Sequence, residues 1–509
     1  MLTVSLLIEI LRTKPRLMFW LVAVAQGLLW LLVPTLFYSA PPGDLADTLA
    51  IGHEMSFGST LGAPLAYWLA DIALRVTGGH MIGVYLLAQI CIVSTYWAIF
   101  QLGRSLIGDR QAVLAIMLMV GISVFTVSSP DFGPDILMMP LWALALLFLW
   151  RAAGQGQQLY WYALAATFAV MLVTSPLALL LLVLAIIFLA ITERGRLAVL
   201  NIPAYAAAGI LIVALALLLF TLKRHGIAFS AYLPRLRNPA PINQNVMAWL
   251  RLLMFVIVAQ AGAGILVALA SNIMRTRKSE AAPVTGSPID PFARSMVYYF
   301  ALTPLLAVMI AAIISGKSSI SGIPPLLVLS GLAIVVAAGD VILVHHQRIL
   351  GIAWFSLLLV PPVLTALGVL LPMVFAVDLK VAQPADSIAR YFTENFERRT
   401  GQKLDVVGGD PRLARLIALA SPSRPRVLND DSAHPQLATR KDADEKGAII
   451  IWRATDNAGT PPAEIKAQFP TLVAEVPRAF ERPLHGRAPL LRIGWGMIRP
   501  KAAAPSQSQ

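Results

Sequence analysis

Carboxylates beside apolar spans are costly, so the few that stand there invite a chemical reading. Asp44, Asp47, Glu54 and Asp71 fall between residues 40 and 80, and Asp131 and Asp135 lie between two later apolar runs. A positioned carboxylate can take the proton from a hydroxyl nucleophile. Asp44, in Pro41-Pro42-Gly43-Asp44 just beyond an apolar run, suits that task and equally suits a solvated turn. Asp135 opens an apolar run, where it reads either as a site acid or as an N-terminal cap favoured by the helix dipole, and Asp131 competes for the same role. Cations are the natural complement, because a phosphate that leaves with growing negative charge must be steadied. Lys223, Arg224 and His225 close one apolar run, and Lys317 sits in Gly316-Lys317-Ser318-Ser319. For Lys223 and Arg224 the plain alternative is snorkelling to lipid headgroups.

The elements that would position these residues are apolar helices. The chain has 509 residues, 58% hydrophobic and 13% charged, and a mean hydropathy of +0.73. Soluble proteins carry about 25% charged residues. A hydrocarbon core needs about 20 apolar residues in helix. Candidate spans lie near 17–39, 81–102, 111–128, 134–151, 159–174, 176–192, 198–222, 246–271, 296–315, 322–344 and 349–376, about eleven in all. Around Thr174-Ser175-Pro176 the sequence fits one kinked helix or two short ones. The first span, preceded by Arg12, Lys14 and Arg16, reads as a signal anchor.

Basic residues set the orientation. Arg12, Lys14, Arg16, Arg104, Arg110, Arg151, Arg194, Arg196, Arg275, Arg277, Lys278 and Arg348 fall on one side if the N-terminus is cytoplasmic. An odd number of spans then places the C-terminus outside. Lys223 and Arg224, with Arg235 and Arg237, break the rule and call for a function. The loop over 40–80 contains an aromatic, amphipathic Pro64–Ala70 piece that suits an interfacial helix.

Residues 377–509 change character. Strands are expected at Leu404–Val407, Arg426–Leu428, Ala448–Trp452 and Leu491–Trp495, and helices at Ala385–Thr400, Pro411–Leu419 and Pro462–Gln468. The alternation predicts a small extracytoplasmic α/β domain. The reading divides the chain into a transmembrane domain (1–376, with the loop 40–80), a soluble periplasmic domain (377–500) and a disordered tail (501–509). Gly408-Gly409-Asp410 lacks the spacing of a dinucleotide loop, so no nucleotide cofactor is expected. The net charge of +13 is scattered without basic-aromatic alternation, which argues for anionic lipid or phosphate as the partner and against nucleic acid. Cys91, the single cysteine, lies in an apolar run and reads as a packing residue.

Asp44, then His53-Glu54-Met55, Gly58, Pro64-Leu65 and Trp68, resembles the first external loop of the lipid-linked-sugar glycosyltransferases of the C-type fold, the protein O-mannosyltransferase and aminoarabinose-transferase-like family. Asp135 followed by Trp142-Ala143-Leu144, His225-Gly226 after the seventh span, and Lys317 before Pro324-Pro325 are similar to further family motifs in the same order. Val407-Gly408-Gly409 and Gly494-Trp495 in the C-terminal part look like a bacterial subgroup. The resemblance spans nearly the whole chain. It implies a polytopic α-helical membrane protein that moves a sugar from a polyprenyl-phosphate donor to an envelope glycolipid acceptor, such as lipid A or lipopolysaccharide core, at the periplasmic face of a bacterial inner membrane. With that reaction, Asp44 is expected as general base and Asp135 as a second catalytic residue that orients the acceptor or holds Arg224 or His225, with His53, Lys223, Arg224, His225, Lys317 and Asp131 as substrate-binding groups. The chain departs from the pattern at Leu45, where the family carries a second acid, at His53, where an arginine is common, and at Leu61-Gly62-Ala63-Pro64 in place of Asp-His-Pro-Pro. These departures remove frequent metal ligands and leave a divalent metal as an open question. A transporter or flippase of a lipid-linked substrate, and a non-catalytic relative, are the competing readings; the sequence shows no internal repeat of the kind transporters carry.

Overall fold

In the computed structural model the described residues are 9, 13–55, 63–227, 242–270, 289–315, 322–338, 347–371, 380–428, 438–454, 456, 458–470, 472–481 and 490–501. They form two compact units. One comprises Met1–Pro34 and Ile82–Leu364, the other Thr35–Met81 and Thr365–Gln509.

The first unit is a helical assembly built for lipid. Helix α1 (Pro15–Phe37) shows why. Its exposed Leu17, Leu21, Val24, Leu28, Leu32 and Leu36 recur every three or four residues, yet its opposite face is also apolar and buried, with Met18, Phe19, Val22 and Trp30. A helix apolar all round belongs in hydrocarbon or in a large core. The second unit takes the next two helices, α2 (Leu45–His53) and α3 (Leu65–Val76). The first unit resumes with α4 (Ile82–Ile107), α5 (Asp109–Val120), α6 (Pro134–Leu149), α7 (Tyr160–Thr174), α8 (Leu177–Ile191), α9 (Glu193–Val199) and α10 (Ile202–Arg224). It ends with α11 (Ile242–Ala259), α12 (Ala261–Ala270), α13 (Pro291–Ser315), α14 (Ser330–Ala338) and α15 (Gln347–Leu370).

Six of these helices are long and apolar enough to cross a membrane, or up to eight if each bent pair counts as one span. The bent pairs are α8 with α9, at 106°, and α11 with α12, at 50°. Of the eleven segments expected, Thr174-Ser175-Pro176 separates two short helices, because Ser175 is extended. The segment expected over 111–128 is helical only to Val120.

Residues 121–133 then run as turns and a short 3₁₀ piece, Ser123–Phe125. Irregular backbone that is buried survives only where its polar groups find partners. Gln26 Nε2 donates to the Phe125 carbonyl at 2.9 Å, and Gln89 Nε2 donates to Ser129 Oγ at 3.2 Å. Gly121 meets Gly262 of α12 so closely that a Cβ on either would strike the other strand of backbone. Small residues allow such contact.

The second unit joins the 40–80 loop to the C-terminal part. Its further elements are α16 (Ala385–Thr400), β1 (Val406–Gly409), α17 (Pro411–Ala420), β2 (Arg426–Val427), α18 (Arg440–Lys446), β3 (Ala448–Arg453), α19 (Ala463–Gln468), β4 (Ala474–Phe480) and β5 (Leu491–Ile498). The five-stranded sheet has the order β2-β1-β3-β5-β4. β1 runs parallel to β2 and β3, while β5 runs antiparallel to β3 and β4. Central β3 is buried on both faces, as its Ala-Ile-Ile-Ile-Trp run requires. Ile449 and Ile451 pack with Phe392, Leu413, Ile417 and Trp495 on one face. Ile450 and Trp452 pack with Ala443 and Phe469 on the other.

Ala40, immediately after α1, is buried in the first of these two cores. The amides of Ser39 and Ala40 both donate to the Val381 carbonyl at 2.9 Å. The loop is therefore part of the same body as the sheet, whereas the sequence division grouped it with the spans.

Candidate active site

Asp44 ends the Pro-Pro-Gly turn and stands at the N-cap of α2. Its side chain is exposed and makes no capping bond, so it is not spent on the helix it introduces. Its carbonyl instead receives the Thr48 amide at 3.0 Å. Leu45, beside it, is fully buried. An acid at this buried position would lose its hydration, so the departure at Leu45 has a physical reason.

Three carboxylates of the loop are each met by an arginine from the sheet domain. Arg415 of α17 lies 2.5 Å from Asp47. Arg424 lies 3.0 Å from Asp71, and Arg426 lies 3.8 Å from Glu54. Asp71 has a fully buried side chain and gathers the densest group. Arg75 Nε approaches its other oxygen at 2.5 Å, an ion-pair contact without hydrogen-bond alignment. His53 Nδ1 is 3.7 Å from Asp71 and 3.4 Å from Arg75.

Burial dominates the titration of this region. It lowers the His53 pKa, with Arg424 adding to the effect and Asp71 opposing it. His53 is thereby kept neutral at neutral pH. Burial raises the Asp47 pKa, against the pull of Arg415. Burial also pushes the Glu54 carboxyl up to about 7, which Arg426 only partly offsets.

In the first unit, Asp135 lies in the opening turn of α6, after Gly133 and Pro134. Its Oδ2 accepts the Gly322 amide at 2.8 Å. Gly322 has φ +85° and leads into the 3₁₀ turn Pro324–Leu327. Asp135 therefore fixes the segment that enters the proline-led turn. Asp131 is half-buried, its amide donating to the Ser128 carbonyl at 3.2 Å. Lys223 and Arg224 occupy the last turn of α10, and His225 is its C-cap. Cations at a helix C-terminus suit the dipole. Both side chains are exposed, and neither forms an ion pair with a described carboxylate. Lys317, Gly58, Leu61 and Gly62 lie outside the described residues, as do Arg235 and Arg237 of the rule-breaking loop. Among the described residues no group of three His, Cys, Asp or Glu side chains gathers to hold a metal ion.

The structure thus brings Asp44 and His53 into one unit with Asp47, Glu54 and Asp71, and places Asp131, Asp135, Lys223, Arg224 and His225 in the other. The sequence reading gave no role to Arg412, Arg415, Arg424 or Arg426. A signal was present: four arginines within fifteen residues, in a domain set against a loop of four acids.

The helices and their arrangement define a multi-pass membrane protein with the fold of the C-type lipid-linked-sugar glycosyltransferases. Residues 62–220 match the dolichyl-phosphate-mannose-protein mannosyltransferase family. The chain is similar in structure to ArnT from Cupriavidus metallidurans bound to undecaprenyl phosphate, with a TM-score of 0.57 and 13% identity, covering 96% of this chain and 99% of that one. A weaker likeness, with a TM-score of 0.40 and 13% identity, links it to the oligosaccharyltransferase AglB from Archaeoglobus fulgidus in complex with an inhibitory peptide and a dolichol-phosphate, over 82% of this chain and 65% of that one. No curated protein sequence matches the chain at a significant level.

Proposed function

We propose that the protein is a glycosyltransferase that moves a sugar from a polyprenyl-phosphate donor to an envelope glycolipid, lipid A, lipopolysaccharide core or another, at the periplasmic face of a bacterial inner membrane. The observation that carries the reading is Asp44. It is exposed at the N-cap of α2 and its side chain makes no capping bond there. A carboxylate so displayed, on a fold shared with a protein that binds undecaprenyl phosphate, fits a general base for an acceptor hydroxyl.

In the proposed step the acceptor oxygen attacks the anomeric carbon and its proton passes to Asp44. The bond from that carbon to the phosphate oxygen breaks, and the polyprenyl phosphate leaves with the electron pair. Lys223, Arg224, His225 and Lys317 are assigned to the phosphate charge, which gives the basic residues that break the orientation rule a purpose. Asp135 acts by holding the Gly322 turn that follows Lys317 in sequence. About eleven spans, a cytoplasmic N-terminus, a periplasmic sheet domain and a short tail after residue 500 complete the proposal. The first of two compact units would house the donor lipid.

The test works whatever the sugar and the acceptor are. Deletion of the protein is expected to remove one sugar's mass from an envelope glycolipid. The wild-type chain restores it, and Asp44→Asn, inserted and folded normally, restores about a hundredth or less, the scale of a lost general base. Restoration by Asp44→Asn at the wild-type level removes Asp44 from the mechanism.

A further inference from the structure

In the first unit the start of α1, the end of α4 and the start of α5 meet at one carboxylate. Asp109 opens α5. Its Oδ2 lies 3.3 Å from Arg16 Nε, and its Oδ1 lies 3.4 Å from Arg104 Nε. Both arginines thus engage it through Nε, and one Nη of Arg104 donates to Gln101 Oε1 at 3.3 Å. Arg110 follows Asp109 in α5. The Lys14 carbonyl accepts the Leu17 and Met18 amides at 3.0 and 3.1 Å, which ties Lys14 to the first turn of α1. The side chains of Lys14 and Arg110 are exposed and form no ion pair with a described residue. Even with Glu9, exposed seven residues ahead of Arg16 in sequence, four cations stand against two acids among the described residues of these helix ends.

Helix length sets the depth of this cluster. α1 has 23 residues and α4 has 26, so at a rise of 1.5 Å per residue they run for about 35 and about 39 Å. A hydrocarbon core is about 30 Å thick, so the ends of both spans reach the headgroup layer. There the phosphates of the lipids are the anions at hand. Next to the cations the surface is apolar: Leu17, Trp20, Leu21 and Val24 of α1 are exposed. Trp20 is four residues from Arg16 and shares its face. A tryptophan one turn inside a group of cations is the pattern of a membrane interface. Setting the orientation of a span requires cations on one side of the membrane and does not require them to gather. Here Arg16 and Arg104 are drawn to one acid, with Lys14 and Arg110 beside them in the chain.

We infer that this end of the first unit is a binding site for an anionic phospholipid. Arg16, Arg104 and Arg110 receive the phosphate, Lys14 adds to the attraction, and an acyl chain lies along Leu17, Trp20, Leu21 and Val24. A guanidinium suits a phosphodiester, since its planar fork meets two oxygens with two parallel N–H groups. Asp109 is a positioning residue that holds two like charges side by side, and the lipid phosphate shares them with it. The excess of cations sets the preference for a net anionic headgroup over a zwitterionic one, whose own ammonium is repelled. The site is independent of the sugar, the acceptor and the role of Asp44.

Full-length protein, freed of lipid in detergent, is titrated with dioleoyl phosphatidylglycerol or dioleoyl phosphatidylcholine, and bound lipid is counted by native mass spectrometry. The wild type is expected to bind phosphatidylglycerol about twentyfold more tightly, or better. Lys14→Gln with Arg110→Gln removes two cations, each worth about fivefold near a lipid surface, and should bring the two lipids close to equal affinity. This double variant leaves the contacts of Asp109 with Arg16 and Arg104 in place, so it tests the site without loosening the helix ends. Adding Arg16→Gln should weaken phosphatidylglycerol binding further. Lys441→Gln with Lys466→Gln, two exposed lysines of the second unit, removes the same formal charge and should change nothing. Equal affinity of the wild type for the two lipids overturns the inference, as does an equal loss in the second-unit control. Displacement of the lipid by inorganic phosphate at the same concentration also overturns it, by reducing the surface to a simple anion site. A dimer that forms in lipid-free detergent and dissociates in Lys14→Gln with Arg110→Gln overturns it too, by assigning the surface to a second copy of the chain.

Discussion

The guanidinium of Arg424 stands 3.0 Å from the fully buried carboxylate of Asp71, across 353 residues of sequence. Arg424 reaches it from a left-handed backbone conformation, φ +45°, which an arginine seldom adopts. Removing one partner of a buried pair costs about 3–5 kcal/mol, because the other charge is left uncompensated. Arg75 still faces Asp71, so Arg424→Met is expected at the low end, about 3 kcal/mol. Adding Asp71→Asn should recover part of the loss. Melting of the detergent-purified variants checks both, and additive losses in the double variant would count against direct coupling.

The hydrogen bond from the Gly322 amide to Asp135, at 2.8 Å, yields a prediction that separates positioning from acid chemistry. A hydrogen bond to a charged group is worth about 1.5–3 kcal/mol. Asp135→Ala should therefore destabilise by about that amount, while Asp135→Asn, which keeps an oxygen acceptor, should lose less. Envelope glycolipid modification should follow the same order. Were Asp135 to exchange protons with substrate, Asn and Ala would fail alike.

Gly52 fixes the crossing of α2 and α3. A Cβ at this position would run into the Tyr67 carbonyl and press on the Asp71 side chain. Backbone cannot yield as a side-chain tip can, so Gly52→Ala is expected to cost about 1–3 kcal/mol, as overpacking does. Because α2 carries Asp44 at its head, transfer should fall with stability. An intact melting temperature in this variant would show that the crossing is looser than its geometry implies.

How much of this is legible in the sequence differs between the two units. Helix α16 is found as expected over Ala385–Thr400, because its apolar stripe is regular and Gly401, at φ +67°, ends it. Strand β4 escapes a sequence reading: Ala474–Phe480 contains Pro477, is mostly exposed, and lies at the sheet edge where proline is tolerated. Helix α18 escapes it too, because Arg440–Lys446 is polar nearly throughout and is defined by the Thr439–Asp442 capping box. Among the apolar segments, composition alone does not reveal that α5 stops at Val120. The side chains that hold the following turns, Gln26 and Gln89, come from helices distant in sequence. The loop acids are visible as a group, but their partners are not, since Asp47 and Arg415 are 368 residues apart and nothing local couples them.

Glu54 makes the last prediction, one of pH. Its carboxyl has an ordinary value of 4.5 and is pushed up to about 7 by burial. Between these values the unfolded chain is ionised at this position and the folded chain is protonated, so folding takes up a proton. Stability contributed by the neutral form is complete below pH about 4.5, and is lost as pH rises to about 7. Glu54→Gln removes this titration. It should melt like the wild type at pH 4.5 and become progressively more stable than the wild type up to pH about 7, with a final difference on the order of 3 kcal/mol. Above that pH the gap should be level. A gap that is constant from pH 5 to 8, or that closes as pH rises, would mean that Arg426, 3.8 Å away, compensates the Glu54 charge more fully than its distance indicates.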